Sequence, residues 1–386
     1  MSFEVLGYGR QCINDDDINE VIKILKGDWL TMGPAVKNFE GALADYAGVK
    51  HAVTFSSGTA ALHGAMFAAG LGEGDYSLTT ALTFVATANS ALYTGAVPLF
   101  ADIDKDTLCL NPDLAEEIIN ANKNKNIKAI VPVSFAGYPF DIAPFKKLAE
   151  KIGAVLIEDA SHSLGGDRGN KKIGADADMT TLSFHPVKHI TTAEGGAVLT
   201  NNDKFAKTLR LFRNHGVVRE ASEFLETPDG DWHSEMQFLG YNYRLSDLNS
   251  ALGLSQMKRL NYFVQRRREI ADLYRELLKP LELDDKIILP AHKTGHAYHL
   301  FLIQVKNNLR GKLFAHLKNN NIRLQVHYMP VPLQPYYKKR FNYKKGGFPN
   351  AELYYQQAIS LPIFPDMDNS DIERVVNCIK EFFSKI

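Results

Sequence analysis

Short apolar runs alternate with segments of helical periodicity between residues 51 and 200 of this sequence. The runs last four to seven positions, the usual length of a buried strand, and apolar residues recur about every three to four positions between them. Strands that alternate with helices predict a mostly parallel sheet with helices on both faces. We predict strands over residues 51–55, 77–81, 97–103, 128–133, 154–157, 179–184 and 197–200.

Helical periodicity also marks the two ends of the chain. Near the N-terminus, Ile18, Val21, Ile22 and Leu25 share one face of a helix that begins with aspartates, which the helix dipole favours there. Toward the C-terminus, the pattern predicts one strand over residues 299–305 and several helices. The predicted helices are residues 247–260, 264–278, 312–318 and 371–383.

The length of the chain indicates its domain organisation. Its 386 residues exceed the limit of about 250–300 residues for a single hydrophobic core. We expect a large domain over residues 31–262 and a smaller α+β domain over residues 263–386. An N-terminal segment, residues 1–30, is expected to pack with the smaller domain, since neither part is large enough to be independent.

Charge and cysteine content exclude several classes of partner. The 44 basic and 44 acidic residues give a formal net charge of zero, which argues against nucleic-acid binding. We find no signal peptide and no apolar run long enough to span a membrane, so we expect a cytoplasmic protein without a membrane partner. Cys12, Cys109 and Cys378 are scattered without metal-type spacing, which predicts reduced thiols and no metal site.

One lysine stands in the loop between two of the predicted strands. The run over residues 179–184 breaks at Pro186, presents Lys188 and turns through Gly195 and Gly196 into the next run. Loops on a rigid scaffold often carry function, and a partly desolvated lysine loses its proton readily and can form a Schiff base. Taken alone, however, a loop lysine is more often an ordinary solvated side chain.

Another buried run ends in carboxylates. Glu158 and Asp159 follow residues 154–157, which places Asp159 at the C-terminal end of a predicted parallel strand. Ligands bind at that end of open α/β sheets, and a buried carboxylate needs a cationic partner. A protonated pyridine nitrogen, such as that of pyridoxal phosphate, is one partner that fits. Asp159 and Lys188 therefore suit the roles of ring anchor and Schiff-base lysine.

Two turns carry further candidate ligand contacts. Ser56-Ser57-Gly58-Thr59 connects a strand to a helix, a geometry that offers backbone N–H groups to a phosphate. An ordinary capped turn is an equal alternative, and the spacing and lysine of a P-loop are missing. Phe84 stands at the turn after residues 77–81, where an aromatic ring can stack on a flat ligand. Core packing is the more common role of an isolated phenylalanine.

Several short motifs occur together in the order and spacing of one enzyme family. They are Ser56-Ser57-Gly58-Thr59-Ala60-Ala61-Leu62, Glu158-Asp159-Ala160-Ser161-His162, Ser183-Phe184-His185-Pro186-Val187-Lys188, Glu194-Gly195-Gly196-Ala197-Val198, Tyr241-Asn242-Tyr243-Arg244 and Gln325-Val326-His327-Tyr328. Over essentially its whole length, the chain resembles the DegT/DnrJ/EryC1/StrS sugar-nucleotide aminotransferases, which are fold-type I pyridoxal-phosphate enzymes. The resemblance implies an α/β fold: a large domain with a mostly parallel central sheet and helices on both faces, and a smaller α+β C-terminal domain.

The resemblance also implies residue roles. Lys188 would bind pyridoxal 5′-phosphate as a Schiff base, and its freed amine would move a proton during transamination. Asp159 would keep the pyridine nitrogen protonated, so that the ring acts as an electron sink. The other implied cofactor contacts are Phe84 on the ring, His162 near the ring hydroxyl, and Gly58, Thr59 and Ser183 at the phosphate. Asn242 would reach the phosphate in the neighbouring subunit, which implies a homodimer with shared active sites.

A nucleotide-sugar substrate and L-glutamate as amino donor follow from the same resemblance. The implied substrate contacts are Tyr8, Trp29, Thr31, His327 and Tyr328. Within the family, the chain looks closest to transaminases of pseudaminic acid biosynthesis. The matching residues are 183–185, 190–196, 250–256 and 325–328, and residues 8–12 also look similar. The implied reaction converts UDP-2-acetamido-2,6-dideoxy-β-L-arabino-hex-4-ulose into UDP-4-amino-4,6-dideoxy-N-acetyl-β-L-altrosamine.

Other functions share parts of this pattern. A 4-aminotransferase acting on a GDP- or dTDP-linked keto sugar would carry most of the same motifs. A C3 dehydratase of the family would have histidine in place of Lys188, and a dinucleotide-binding dehydrogenase would need Gly-x-Gly-x-x-Gly after its first strand. A non-catalytic sensor or scaffold on the same fold would need neither Lys188 nor Asp159. We therefore expect an enzyme, specifically a transaminase.

Overall fold

A computed structural model describes residues 4–386 of the chain. In chain order, the strands are β1 (His51–Phe55), β2 (Asp75–Thr80), β3 (Val97–Ala101), β4 (Asn126–Val131), β5 (Val155–Asp159), β6 (Asp167–Arg168), β7 (Lys171–Lys172), β8 (Met179–Ser183), β9 (Gly196–Thr200), β10 (Val217–Val218), β11 (Glu235–Met236), β12 (Ile287–Ile288), β13 (Phe301–Val305) and β14 (Ala358–Leu361). The α-helices are α1 (Asp15–Leu25), α2 (Pro34–Ala47), α3 (Gly58–Ala68), α4 (Val85–Tyr93), α5 (Pro112–Ala121), α6 (Ala143–Ile152), α7 (Asp203–Phe212), α8 (Asp247–Met257), α9 (Leu260–Leu283), α10 (Arg310–Asn319), α11 (Pro335–Phe341), α12 (Pro349–Gln357) and α13 (Asn369–Ser384).

The largest sheet is mostly parallel, which confirms the predicted fold class. Its seven strands lie in the order β1-β9-β8-β5-β4-β2-β3. Strand β9 is antiparallel to both of its neighbours, whereas the pairs from β8 through β5, β4 and β2 to β3 are parallel. Successive strand residues point to opposite faces, and both faces are buried: Leu156 and Ile157 of β5 belong to different hydrophobic cores.

A second, antiparallel sheet forms in the C-terminal part of the chain. Its order is β12-β13-β14, and α9, α10 and α13 pack against it. Strand β13 lies between two cores, because Phe301 packs with the C-terminal helices while Leu302 packs with residues of the large sheet such as Leu78. The C-terminal part therefore shares buried apolar surface with the large sheet. It also forms one wall of any cavity between the two.

Two helices, α8 and α9, lie around the predicted domain boundary. The predicted boundary between residues 262 and 263 lies inside α9, which spans Leu260–Leu283. The predicted helix over residues 247–260 ends earlier, at Met257, and the next helix begins at Leu260, because the backbone leaves the helical region at Arg259 (φ −108°, ψ 1°). The guanidinium of Arg259 donates to the carbonyl of Cys12 and pairs with Asp17, contacts that the local sequence pattern does not reveal.

The N-terminal segment divides between two neighbours. Residues 1–3 of the predicted segment 1–30 lie outside the described residues. The backbone of Leu6 exchanges hydrogen bonds with Asn321 and Arg323 of the C-terminal part, at 2.9 and 2.8 Å. Helix α1 instead packs on α8, where Gln256 Nε2 donates to Asp17 at 2.6 Å. Among residues 4–386, no helix combines the length and apolar character needed to cross a bilayer.

Candidate active site

A cavity of about 400 Å³ opens at the carboxyl ends of the parallel strands. Strands β1, β2, β5 and β8 all run in one direction, so the residues that follow them meet at one edge of the sheet. Residues of the C-terminal part, and Tyr8 from the segment before α1, close the other side. Ten of the residues implied by the sequence line this cavity: Tyr8, Gly58, Thr59, Phe84, Asp159, His162, Ser183, Lys188, His327 and Tyr328.

The start of α3 forms an anion-binding turn. Ser57 caps the helix, and its side chain accepts a hydrogen bond from the amide of Ala60 at 3.1 Å. The amides of Gly58 and Thr59 come earlier in the same turn, have no acceptor within the helix, and carry the positive end of its dipole. Gly58 is required here, because a Cβ at this position would lie 2.9 Å from Ser183 Cβ. The turn and the Ser183 hydroxyl thus suit a phosphate.

Asp159 is oriented by neutral donors. The Thr87 hydroxyl donates to Asp159 Oδ2 at 2.7 Å, and the amide of Ser161 donates to Oδ1 at 3.1 Å. The carboxylate is 4% exposed and faces the cavity. A buried carboxylate is stabilised further by a cationic group, and the cavity side of Asp159 is open to one. This geometry suits a protonated ring nitrogen of a ligand.

Lys188 projects from the irregular loop between β8 and β9. The loop is held by the Lys188 amide, which donates to the carbonyl of His185 at 2.9 Å. The side chain is partly buried and faces the cavity. The pKa of the Lys188 amine is lowered to about 7, mainly by burial; the Asp159 carboxylate acts against this shift, and the Arg267 cation adds to it. Near neutral pH, a large fraction of this amine is the free base, the form that attacks carbonyl groups and accepts protons.

Aromatic and histidine side chains complete the walls. Phe84 precedes α4, is 54% exposed, and its ring lies 5.8 Å from the ring of Tyr328. His162 is buried and accepts a hydrogen bond from the amide of Ala136 through Nδ1 at 3.2 Å. Burial, with the nearby Lys188, lowers the pKa of His162 well below its usual value, so the ring is neutral. Phe84 and His162 both line the cavity.

The C-terminal wall of the cavity includes the segment before α11. His327 Nδ1 is hydrogen-bonded to the Ser360 hydroxyl at 2.7 Å, and the His327 ring lies 5.7 Å from the ring of Tyr8. Burial lowers the pKa of His327 to about 4. The phenol of Tyr328 is buried too, which raises its pKa above the usual value. This wall therefore offers uncharged hydrogen-bonding groups, of the kind that recognise sugar hydroxyls.

Three implied site residues do not line the cavity of their own chain. Trp29 is 59% exposed, Thr31 forms an isolated bridge with Ser246, and Asn242 forms one with Asn214. All three lie on an outer surface. Within a single chain, they are separate from the group of residues around Lys188.

Two cavity residues were missed by the sequence reasoning. Thr87 fixes Asp159 and follows Phe84 by one helical turn, so its position next to a turn residue was the available clue. His299 Nε2 lies 3.3 Å from Lys188 Nζ, although the two residues are separated by 111 positions in the sequence. Nothing in the local pattern around His299 indicates this contact. Among residues 4–386, no group of three histidine, cysteine, aspartate or glutamate side chains is arranged to hold a metal ion.

The sequence matches a known family. The profile of the DegT/DnrJ/EryC1/StrS aminotransferase family matches residues 11–380. The spore coat polysaccharide biosynthesis protein SpsC of Bacillus subtilis is 37% identical over 383 residues, which cover 97% of this chain and 96% of that protein.

Solved structures have the same fold. Helicobacter pylori PseC, an aminotransferase involved in the biosynthesis of pseudoaminic acid, has a TM-score of 0.90 at 31% identity and covers 99% of this chain and 100% of that one. The sugar aminotransferase Spr1654 of Streptococcus pneumoniae in its PLP form has a TM-score of 0.89 at 27% identity, covering 99% of each chain. The cavity described above thus lies in a fold that other proteins use for sugar transamination.

Proposed function

Since this chain belongs to the DegT/DnrJ/EryC1/StrS aminotransferase family, and is therefore a pyridoxal-phosphate-dependent sugar aminotransferase, we propose that it aminates C4 of a nucleotide-linked 4-keto-6-deoxy sugar with L-glutamate. One observation carries the proposal: Lys188, Asp159 and the Gly58–Thr59 turn meet in one cavity although they come from different strand ends. A scaffold without catalysis would not need all three. We propose that the reaction takes place in the cytoplasm.

The residues of the cavity fit pyridoxal phosphate. When bound, this cofactor supplies an electron sink for the amino-acid Cα–H bond. Asp159 would bind the ring nitrogen, and the turn at Gly58 and Thr59 would bind the phosphate with help from the Ser183 hydroxyl. Phe84 and His162 would enclose the ring from its two sides. The steric limit at Gly58 supports this assignment, because a side chain there would fill the space against Ser183.

Lys188 is proposed as the catalytic residue. Its amine lies in the cavity and has a pKa lowered to about 7 by burial, so a neutral amine is available near physiological pH. We assign it the covalent attachment of the cofactor. With glutamate in the cavity, the free Lys188 amine would take the proton from the glutamate Cα.

The wall formed by Tyr8, His327 and Tyr328 is proposed to bind the sugar nucleotide. Its groups are uncharged hydrogen-bonding side chains and aromatic rings, which suit a sugar ring and a base. Our preferred substrate is UDP-2-acetamido-2,6-dideoxy-β-L-arabino-hex-4-ulose, giving UDP-4-amino-4,6-dideoxy-N-acetyl-β-L-altrosamine in pseudaminic acid biosynthesis. The similarity to PseC supports this choice. A GDP- or dTDP-linked keto sugar is the alternative, and a screen of keto sugars decides between them.

We further propose a homodimer in which Asn242, Trp29 and Thr31 serve the cavity of the partner. These residues lie on a surface that also exposes large apolar side chains, including Leu30 and Met32. Exposed apolar groups in such a cluster favour burial against another copy. Mixing inactive Lys188→Ala subunits with Asn242→Asp subunits should restore partial activity, because one hybrid site then has both native residues. No recovery in a mixture of proven hybrids would contradict the shared site.

The test of the function is the visible absorption spectrum of the purified protein with pyridoxal phosphate. We expect a yellow band that L-glutamate bleaches and that the correct keto-sugar nucleotide restores. The recovery of colour identifies the sugar, and mass spectrometry of the product identifies the new amine. Absence of any band after incubation with the cofactor would argue against the roles of Lys188 and Asp159 and would favour a non-catalytic scaffold.

A further inference from the structure

In the cavity, Lys188 contacts a histidine from the C-terminal part of the chain. Lys188 Nζ lies 3.3 Å from His299 Nε2, a hydrogen-bond distance, and the two residues are 111 positions apart. The His299 side chain is buried, and its ring lies 4.3 Å from the ring of His162. Neither a sequence motif nor a strand end explains why the side chains of Lys188 and His299 lie next to each other.

The tautomer of His299 follows from its second ring nitrogen. Among residues 4–386, His299 Nδ1 is buried and has no hydrogen-bond partner. A buried N–H group without an acceptor costs more free energy than a buried acceptor nitrogen without a donor. Unpaired buried donors are accordingly the rarer of the two in protein structures. The proton of the neutral ring therefore lies on Nε2, which donates it to Lys188 Nζ. An amine accepts a hydrogen bond only in its neutral form.

One buried cation fixes the backbone of both partners. Arg267 is fully buried, and its guanidinium donates to the carbonyl of His299 at 3.3 Å and, at the limit of hydrogen-bond distance, to the carbonyl of Val187 at 3.5 Å. Val187 directly precedes Lys188. Arg267 also donates to the carbonyl of Ile363 at 2.9 Å, so it joins three segments. The pair is thus held from behind by a residue that touches neither side-chain nitrogen.

We propose that His299 is a positioning residue that holds the free, neutral amine of Lys188 whenever that amine is not bound to the cofactor. This rests on the proposed role of Lys188. In that role the amine is released once per turnover and must then accept a proton from the substrate. His299 keeps it within the cavity and uncharged, and the amine leaves this position when it takes the proton.

Several other groups influence the charge of Lys188. The titratable and charged side chains that face it or interact with it are Asp159, His162, His189, His299, His327 and Arg267. All four histidines have pKa values lowered by burial, so they stay neutral at neutral pH. Only His299 among them is within hydrogen-bond distance of the amine. Its contribution is therefore separable by substitution.

The experiment measures the protonation of Lys188 in the cofactor-free protein. Competitive acetylation with acetic anhydride from pH 5 to pH 10, read by peptide mass spectrometry, gives the labelling midpoint of Lys188 against the exposed Lys171. The neutral amine reacts, so labelling rises with pH through the pKa, near 7 in the native protein. In His299→Leu, loss of the donor to the neutral amine should raise the midpoint by about half a unit to one unit.

Two further variants distinguish a specific effect of His299 on the Lys188 amine from a general disturbance of the buried structure. His299→Gln retains an N–H group that can reach the amine and should restore a midpoint near the native one. His296→Leu removes a buried histidine of the same segment, which stacks on Tyr298 and does not contact Lys188. It should leave the midpoint unchanged. If His299→Leu does not fold, His299→Met, which also lacks an N–H, replaces it.

An unchanged or lowered midpoint in His299→Leu or His299→Met would overturn the proposal, as would an equal rise in His296→Leu. The measurement needs neither cofactor nor substrate. Failure of the proposed transaminase function would leave the labelling result intact, and failure of the His299 proposal would leave the function of Lys188 untouched.

Discussion

The cavity has two walls that are built in different ways. The sheet wall consists of residues at or beyond the ends of parallel strands, such as Asp159 at the end of β5 and Lys188 in the loop after β8. The C-terminal wall consists of His299, His327 and Tyr328, which come from the connections around β13 and the segment before α11. Backbone ladders fix the first wall, whereas the second depends on packing between distant segments. We expect residues of the sheet wall to perform the catalytic steps. Residues of the C-terminal wall are expected to adjust the protonation of Lys188 and to select the substrate.

The strongest test of this division is Lys188→Ala in the sheet wall. We expect turnover to fall by about a thousandfold or more, because the variant loses both the covalent attachment and a general base. Single-turnover kinetics with L-glutamate measures the loss. Lys171→Ala, which removes an exposed lysine of β7, is the matched control and should keep native turnover. Full activity of Lys188→Ala with an unchanged circular dichroism spectrum would remove Lys188 from the mechanism.

The second largest effect is expected for Asp159→Asn. The variant keeps the size of the side chain and its contact with the Thr87 hydroxyl but removes the charge. A neutral partner no longer favours a protonated ring nitrogen, so we expect turnover to drop by about a hundredfold or more, in the range typical of lost electrostatic stabilisation. Rapid-mixing spectroscopy of the glutamate half-reaction measures it. Asp203→Asn on the exposed start of α7 serves as the control. An unchanged rate would show that Asp159 is not the ring anchor.

The two walls also differ in how far the sequence predicts them. Strand periodicity and short motifs predicted Asp159, Ser183 and the Gly58–Thr59 turn near strand ends, and in the structure all of them line the cavity, because each lies at the end of a strand or within a few residues of it. Strand limits were less accurate: the predicted strand over residues 77–81 is observed at Asp75–Thr80. Hydrophobic periodicity indicates which positions are buried, whereas the limits of a strand depend on its hydrogen bonds to neighbouring strands. Burial continues beyond the last of these hydrogen bonds, so the two limits differ.

One residue of the C-terminal wall, His299, escaped prediction for a physical reason. His299 contacts Lys188 across segments that are far apart in the sequence, and Arg267 donates to the backbone of both segments. No window of the sequence contains both partners. The contact of Arg259 with Asp17 was missed for the same reason, since the two residues are 242 positions apart. Trp29, Thr31 and Asn242 add a different case, since a single chain does not bring them to its own cavity.

A substitution in the C-terminal wall should change substrate affinity more than turnover. His327→Leu removes a hydrogen-bonding ring that contacts the Ser360 hydroxyl. We expect KM for the nucleotide sugar to rise by about tenfold with a small change in kcat, as for a lost hydrogen bond. The pKa of His327 is about 4, so the ring is neutral from pH 6 to pH 9 and the effect should not vary there.

Steady-state kinetics at several pH values tests this expectation, with His316→Leu on α10 as a control remote from the cavity. A loss in kcat as large as that of Asp159→Asn would contradict the division between the walls. The C-terminal wall would then take part in the chemistry itself.

The smallest effect is expected where the two walls meet, at Phe84. Its ring is 54% exposed and lies 5.8 Å from the ring of Tyr328, so it packs on a flat ligand from one side only. Phe84→Leu keeps some apolar contact and loses the aromatic face, which should weaken cofactor affinity by about threefold. Equilibrium dialysis of pyridoxal phosphate measures the change, with Tyr262→Leu, another exposed aromatic substitution on α9, as the control. Equal affinity in Phe84→Leu and the native protein would mean that the sheet wall holds the ring through Asp159 and the phosphate turn alone, and that Phe84 contacts the substrate instead.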